Sequence, residues 1–304
     1  MKYWVTYPIA GGEYDAELVS GAAIARFTRA AEAAGFDGIG FTDHPAPSDK
    51  WLRSGGHDAL DPFAALAFAA ANSERLRLIP NIVVLPYRNP FLVGKLSATL
   101  DALSAGRFVL STALGYLRSE YRSLGVDFQA RNELFDEALE VLRGVWSTDA
   151  FAFEGTGYTA SGVTSNPKPG HIPIWIGGNS QRTRRRVAEL GDGWNPFPAS
   201  EVMAQTTGTV RLETVDDLSK MLEYLWLKVE EAGRQRSSID VAFTAGHGDV
   251  AAADFDAGRH LGLLAELSAL GVTWNGVSVP GDSTEHALES LAEYGELVIA
   301  PSRE

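Results

Sequence analysis

Gly35-Phe36-Asp37-Gly38-Ile39-Gly40-Phe41-Thr42-Asp43-His44-Pro45 turns an apolar strand into a loop that carries an ionisable pair. Ile39 and Phe41 follow an alanine-rich helix that stops at Gly35, and Pro45 cannot continue a central strand. Asp43 and His44 therefore sit at the strand's carboxyl end. In a parallel α/β protein that end is where ligands bind, because the loops there vary on a rigid scaffold. Taken alone, the pair is weak evidence and reads first as an ordinary turn in which Asp43 caps backbone amides and His44 is merely exposed.

Working toward the N-terminus, residues 3–8 read as a strand, the Gly11-Gly12 loop follows, and residues 20–34 carry Ile24, Phe27 and Ala31 at helical spacing. With the strand at Ile39 this makes a β-α-β unit. Beyond the His44 loop, Pro62 opens a helix over 61–71. Residues 76–85 form a near-continuous apolar run that suits a strand buried on both faces. A helix over 90–103, a strand over 107–113, a long loop over 115–129 and a helix over 132–146 continue the alternation. Phe151, Phe153 and Tyr158 around Gly155 and Gly157 mark a β-hairpin inserted near 151–160. The rhythm then resumes with a strand over 172–176, a helix to Leu190 and a strand over 193–195. Residues 196–214 show no period and are expected to form an excursion, after which helices at 215–231, 259–270 and 285–298 alternate with strands at 239–244 and 272–279. Outside the hairpin the strands number about eight, the closure number of a (β/α)8 TIM barrel, expected as one unit over 1–304.

Composition narrows the function. A 304-residue chain that is 45% hydrophobic and 21% charged can bury a large core. Its net charge of -13 argues against wrapping nucleic acid but leaves room for a local anion site. With no cysteine, disulfides and thiolate chemistry are excluded. The six histidines, His44, His57, His171, His247, His260 and His286, have no paired metal-ligand spacing, so no metal site is expected. No stretch is long and apolar enough to span a bilayer, and the cytoplasm is the expected location. Hydrolase elbows, Walker loops and an early G-x-G-x-x-G are absent.

Three loops fall at strand carboxyl ends: Asp43-His44, Leu114 to Arg118, and Gly177-Gly178-Asn179-Ser180. Closure into a barrel would bring them to one face. Two glycines after a strand permit close backbone approach, and amides at the following helix start can hold an anion; an ordinary tight turn is the competing reading. Arg182, Arg184, Arg185 and Arg186 in the next helix spread around its cylinder, so at most one or two could face that anion. Asn81, polar within an apolar run, must find a partner or touch a ligand. Trp51, Tyr87, Tyr116 and Trp194 could wall a planar cofactor or be core.

Several segments together resemble the bacterial luciferase-like monooxygenase superfamily, and within it the branch that uses the deazaflavin coenzyme F420. They are residues 31–41 with Asp43-His44; Asp61-Pro62-Phe63-Ala64; Arg75-Leu76-Arg77-Leu78; Val84 to Pro90; Leu103-Ser104-Ala105-Gly106-Arg107-Phe108; residues 172–179; and Leu190-Gly191-Asp192-Gly193-Trp194. The resemblance implies a (β/α)8 barrel with an insertion, a homodimer, and coenzyme F420 as cofactor, with FMN as the alternative. It implies that His44 lies beside the reactive ring carbon and exchanges a proton, oriented by Asp43 or a neighbouring carbonyl. It also implies that Ile82 and Val83, with Asn81 adjacent, hold a cis peptide against the ring, that Gly115 and Tyr116 line the ring, and that Gly177, Gly178, Asn179 and Ser180 bind the phosphate. Tyr116 stands where relatives that oxidise sugar phosphates or secondary alcohols tend to carry Glu, which argues against an alcohol dehydrogenase. The expected activity is hydride transfer to or from a small organic molecule. An FMN-dependent monooxygenase and a cofactor-binding barrel without turnover are the rivals.

Overall fold

The chain opens with β1 (Lys2–Thr6), α1 (Gly21–Ala33) and β2 (Gly38–Phe41). Ser20 starts α1 by accepting a hydrogen bond from the Ala23 amide, and Ile24, Phe27 and Ala31 are buried along one face. Gly35, at φ +91°, lets the chain turn back into β2, a conformation that other L-residues rarely adopt. The computed structural model describes residues 1–10, 13–246 and 248–303. The Gly11-Gly12 loop and His247 lie outside the described residues.

In order there follow α2 (Asp49–Leu52), α3 (Pro62–Ala70), β3 (Arg77–Pro80), β4 (Val83–Val84), α4 (Pro90–Leu103), β5 (Leu110–Ala113), α5 (Arg118–Ser123) and α6 (Arg131–Ser147). Next come β6 (Phe151–Glu154), β7 (Thr159–Val163), β8 (Ile174–Gly177), α7 (Gln181–Leu190), β9 (Gly193–Asn195) and α8 (Glu201–Thr207). The chain ends with α9 (Val215–Glu231), β10 (Asp240–Phe243), α10 (Ala257–Leu270), β11 (Trp274–Ser278) and α11 (Thr284–Tyr294).

Nine of these strands form one sheet in the order β3-β2-β1-β11-β10-β9-β8-β5-β4, with parallel neighbours. β3 and β4 are two halves of one staff of the barrel, since β3 also meets the chain just before β5 through the Leu78–Phe108 bridge. Leu78 N–H donates to Arg107 O and Val109 N–H to Leu78 O, at 3.1 and 3.0 Å, which joins the two edges. The result is the eight-staved parallel barrel that the alternation predicts.

Three expectations need correction. The apolar run over 76–85 is not one strand, because pairing stops after Pro80, the Asn81–Ile82 peptide is cis, and pairing resumes at Val83 with Thr112. The loop over 115–129 contains α5, six residues that bury Glu120 and Tyr121 and are too short to show a period. The excursion over 196–214 contains α8 and an antiparallel bridge between Ala199 and Leu212. The hairpin of β6 and β7 is antiparallel as expected, and Glu137 of α6 holds its turn by accepting from the amides of Thr156, Gly157 and Tyr158.

Two hydrophobic layers hold the barrel. Inside it, Trp4, Trp175 and Trp274 pack edge to face with Ile79, Val109 and Ala242. Truncating one of these buried indoles to alanine would cost about 3–5 kcal/mol. Outside, the strands' other faces meet the helices through residues such as Val5, Phe27, Ile39, Leu142 and Leu225. Both layers fix the strand ends, so side chains at the carboxyl rim keep fixed positions.

Candidate active site

At the end of β2 two adjacent side chains part company. Asp43 is buried, and its carboxylate accepts from Arg88 Nη1 and Nη2 at 2.5 and 2.8 Å and from the Val84 amide at 2.9 Å. Arg88 also donates to Asp61, the residue that caps α3. Burial pushes the Asp43 carboxyl up, against the lowering pull of Arg88 and the Val84 amide. Asp43 thus clamps the β2 loop to the turn after β4. The expectation that it orients His44 is corrected: its oxygens are spent on Arg88 and Val84.

The carboxylate on His44 belongs to Glu120. His44 Nδ1 lies 3.1 Å from Glu120 Oε2, and Glu120 is fully buried. The same carboxylate accepts from Ala46 N–H at 3.0 Å and from the Tyr87 hydroxyl at 3.1 Å. A carboxylate can only accept, so Nδ1 carries the hydrogen, and in the neutral imidazole the lone pair is then on Nε2. Burial, then the Glu120 charge, raises both Tyr87 and Tyr116, so both stay protonated phenols at neutral pH. Around the imidazole stand the rings of Trp51, His57 and Tyr116, with centroids 4.5, 4.9 and 6.3 Å away. Burial holds His57 below the usual imidazole range. Sequence reading missed Glu120 and His57. Glu120 reads as one more charge in Arg118-Ser119-Glu120-Tyr121-Arg122, and only its neighbour Tyr121, an aromatic in a polar stretch, hints that the segment is buried.

A polar floor spans the mouth beside this cluster. Asn81 donates to Thr6 Oγ1 at 3.2 Å, and Asn195 donates to Asn81 Oδ1 and Ser111 Oγ at 3.3 and 3.1 Å. Ile82 is partly exposed next to Asn81, and a methyl added at Gly177 would stand 3.5 Å from its Cδ1. Segments 95 residues apart therefore meet here. Val83 is different: its side chain is wholly buried in the core, so it does not line the mouth. The cis bond itself lies at Asn81–Ile82, one residue before the expected place.

The turn after β8 divides its residues in the same way. Gly178 has φ +114°, and Ser180 caps α7 by accepting from the Thr183 amide at 3.0 Å. Asn179 is buried and spent: it donates to Phe197 O and Val210 O at 2.7 and 2.8 Å and accepts from Phe197 N–H. Its side chain braces the excursion and is not left for a ligand, and Trp194 Nε1 bonds Gly178 O beneath the turn. The arginines of α7 also turn away. Arg182 and Arg186 pair with Asp136, while Arg184 donates to Met221 O and lies over Tyr224. Arg185 is exposed.

What remains fits a flat cofactor with an anionic end. A Cβ at Gly115, where φ is +69°, would lie 2.5 Å from Val84 Cγ1, so the backbone itself forms that wall. The Thr42 hydroxyl, next to Asp43, is buried without a hydrogen-bond partner, an unmet group of the kind a bound polar molecule satisfies. The first amides of α7 have no intrahelical acceptor and suit an anion. Among the described residues no group of three or more acidic or histidine side chains could hold a metal ion, and no helix is long and apolar enough to cross a membrane.

Comparison with known proteins gives the family. The luciferase-like monooxygenase family model matches residues 1–257, and the chain belongs to that family. Pyrimidine monooxygenase RutA of Allorhizobium ampelinum is 30% identical over 168 residues, covering 53% of the chain and 44% of the relative. The F420-dependent glucose-6-phosphate dehydrogenase of Microbacterium testaceum is 26% identical over 215 residues, 69% of the chain and 59% of the relative. The matched segments thus span about half of these curated relatives. Monooxygenase RslO1 from Streptomyces bottropensis superposes with a TM-score of 0.76 at 18% identity, over 99% of both chains, and shares the barrel fold.

Proposed function

We propose that the protein is a coenzyme F420-dependent oxidoreductase that moves a hydride between the deazaflavin and a small organic substrate. The observation that carries this reading is the His44–Glu120 pair: an imidazole with one nitrogen fixed by a buried carboxylate and the other free to exchange a proton. The coenzyme, when bound, supplies the hydride carrier. Asn81, Ile82, Gly115, Tyr116 and the backbone of Gly177, Gly178 and Ser180 would hold it. His44 then takes or gives the balancing proton at Nε2, and the positive charge it gains meets the Glu120 carboxylate at Nδ1. Asp43 keeps the loop in place through Arg88 without taking part.

The match to the Microbacterium testaceum dehydrogenase supports the deazaflavin. A second reading, an FMN-dependent monooxygenase, is supported by the match to RutA. Titration of the purified protein with each cofactor decides between them. We expect F420 to bind and FMN not to; binding of FMN alone overturns the proposal. His44→Ala is expected to slow turnover with the bound cofactor by about 10²-fold or more, the range of general acid–base catalysis, with cofactor affinity nearly unchanged. An unaltered rate removes His44 from the mechanism. The same reading includes a homodimer, supported by the apolar side chains of Leu92, Leu96 and Leu103 exposed on α4. A monomeric mass in sedimentation would exclude it.

A further inference from the structure

A cavity of about 550 Å³ opens beside His44. Trp51 and Tyr116 line it, and both rings also stand against the His44 imidazole, so the cavity and the His44 cluster share two aromatic walls. Its charge runs against that of the chain. Lys50, Arg118 and Arg131 line it and no Asp or Glu does, although the protein has 39 acidic and 26 basic residues. Among the described residues none of these three cations forms an ion pair.

Two of them are held in place. The guanidinium carbons of Arg118 and Arg131 lie 4.1 and 3.9 Å from the centre of the Phe128 ring, and Arg131 Nη1 donates to Phe128 O at 2.7 Å. Phe128 in turn packs edge-on against the buried Tyr121 ring at 5.1 Å. Stacking on one fixed ring orients both forks and leaves most of their N–H groups unbonded. Two like charges on one ring repel each other, and a carboxylate in the cavity that accepts from the unbonded N–H groups of these forks would offset that repulsion.

We infer that this cavity selects a substrate bearing a carboxylate, held by Arg118 and Arg131 with Lys50 nearby, and an apolar or aromatic body set against Trp51 and Tyr116. The inference rests on reading this mouth as the substrate side of an oxidoreductase. Its test uses the full chain without cofactor, so that it is decided whichever cofactor the protein takes. 4-Nitrobenzoate and its neutral counterpart 4-nitrobenzamide are titrated separately by calorimetry. The acid is expected to bind at least about tenfold more tightly, the worth of one charge-assisted hydrogen bond. The double variant Arg118→Gln/Arg131→Gln is expected to bind the acid no better than the amide, with its affinity for F420 within about twofold of the parent's. Arg118→Gln alone changes an exposed side chain, is expected to melt like the parent, and should lose about threefold or more of the acid's affinity. Equal binding of acid and amide, no binding of the acid at millimolar concentration, or an acid preference kept by the variants overturns the inference. Loss of F420 affinity along with that of the acid also overturns it, because the cations would then serve the cofactor.

Discussion

Glu120→Gln keeps the side chain's size and removes only its charge and half of its accepting capacity. In the parent the carboxylate receives three donors, from His44, Ala46 and Tyr87, with no solvent exposure. A glutamine amide offers one oxygen and one NH2 group, so at least one of the three donors faces another donor. A bond to a charged group contributes about 1.5–3 kcal/mol, and a buried donor left unmet costs about 1–3 kcal/mol. Tyr87 can rotate its hydroxyl and His44 can shift its proton to Nε2, which recovers part of the loss. The expected net destabilisation is about 2–3 kcal/mol, read from urea denaturation at neutral pH. The second readout is the imidazole region of the 15N–1H NMR spectrum. The parent should show His44 protonated at Nδ1, and the variant should show the Nε2–H tautomer, because the new NH2 group at Nδ1 needs an acceptor. With Nε2 occupied, turnover should fall by about tenfold or more. Unchanged stability together with a retained Nδ1–H tautomer would refute the role given to Glu120.

Asp43→Asn should act on stability alone. It leaves Arg88, whose side chain is only 17% exposed, with Asp61 as its remaining carboxylate, and the expected loss is about 3 kcal/mol, the lower end for breaking a buried pair. The His44 tautomer should not change; if it does, Asp43 orients His44 after all. His57 gives a pH effect whose sign follows from its lowered pKa in the fold. The unfolded chain then binds this proton more readily, so stability is complete above the ordinary value of 6.5 and is lost as pH falls through the folded value. Melting temperatures from pH 8 downward should therefore drop below about pH 6.5, and His57→Gln should flatten that part of the curve. An identical slope in the variant would assign the effect to other groups.

How much of this could be read in advance differs from residue to residue. The hairpin turn near Gly155 and the helix start at Pro62 were legible because each is a local event, set by residues within a few positions. His44 was legible as a rim residue because a strand that ends before a proline leaves its next side chains at the carboxyl edge. Asn179 was misjudged because its partners, Phe197 O and Val210 O, come from an excursion whose path has no period to read. Asp43 was misjudged for the same kind of reason: an arginine 45 residues away claims it.

By itself, then, the sequence determined the alternation of strands and helices, and with it the (β/α)8 barrel and the rim on which His44 sits. Those features follow from hydrophobic period and turn chemistry, which act over short stretches of chain. Only the tertiary structure decided which carboxylate holds His44, which of two adjacent residues works as a clamp, and which cations around the cavity form no ion pair among the described residues. Hydrogen bonds and charges are settled by what closure of the barrel brings within about 3 Å, and local sequence carries no record of that.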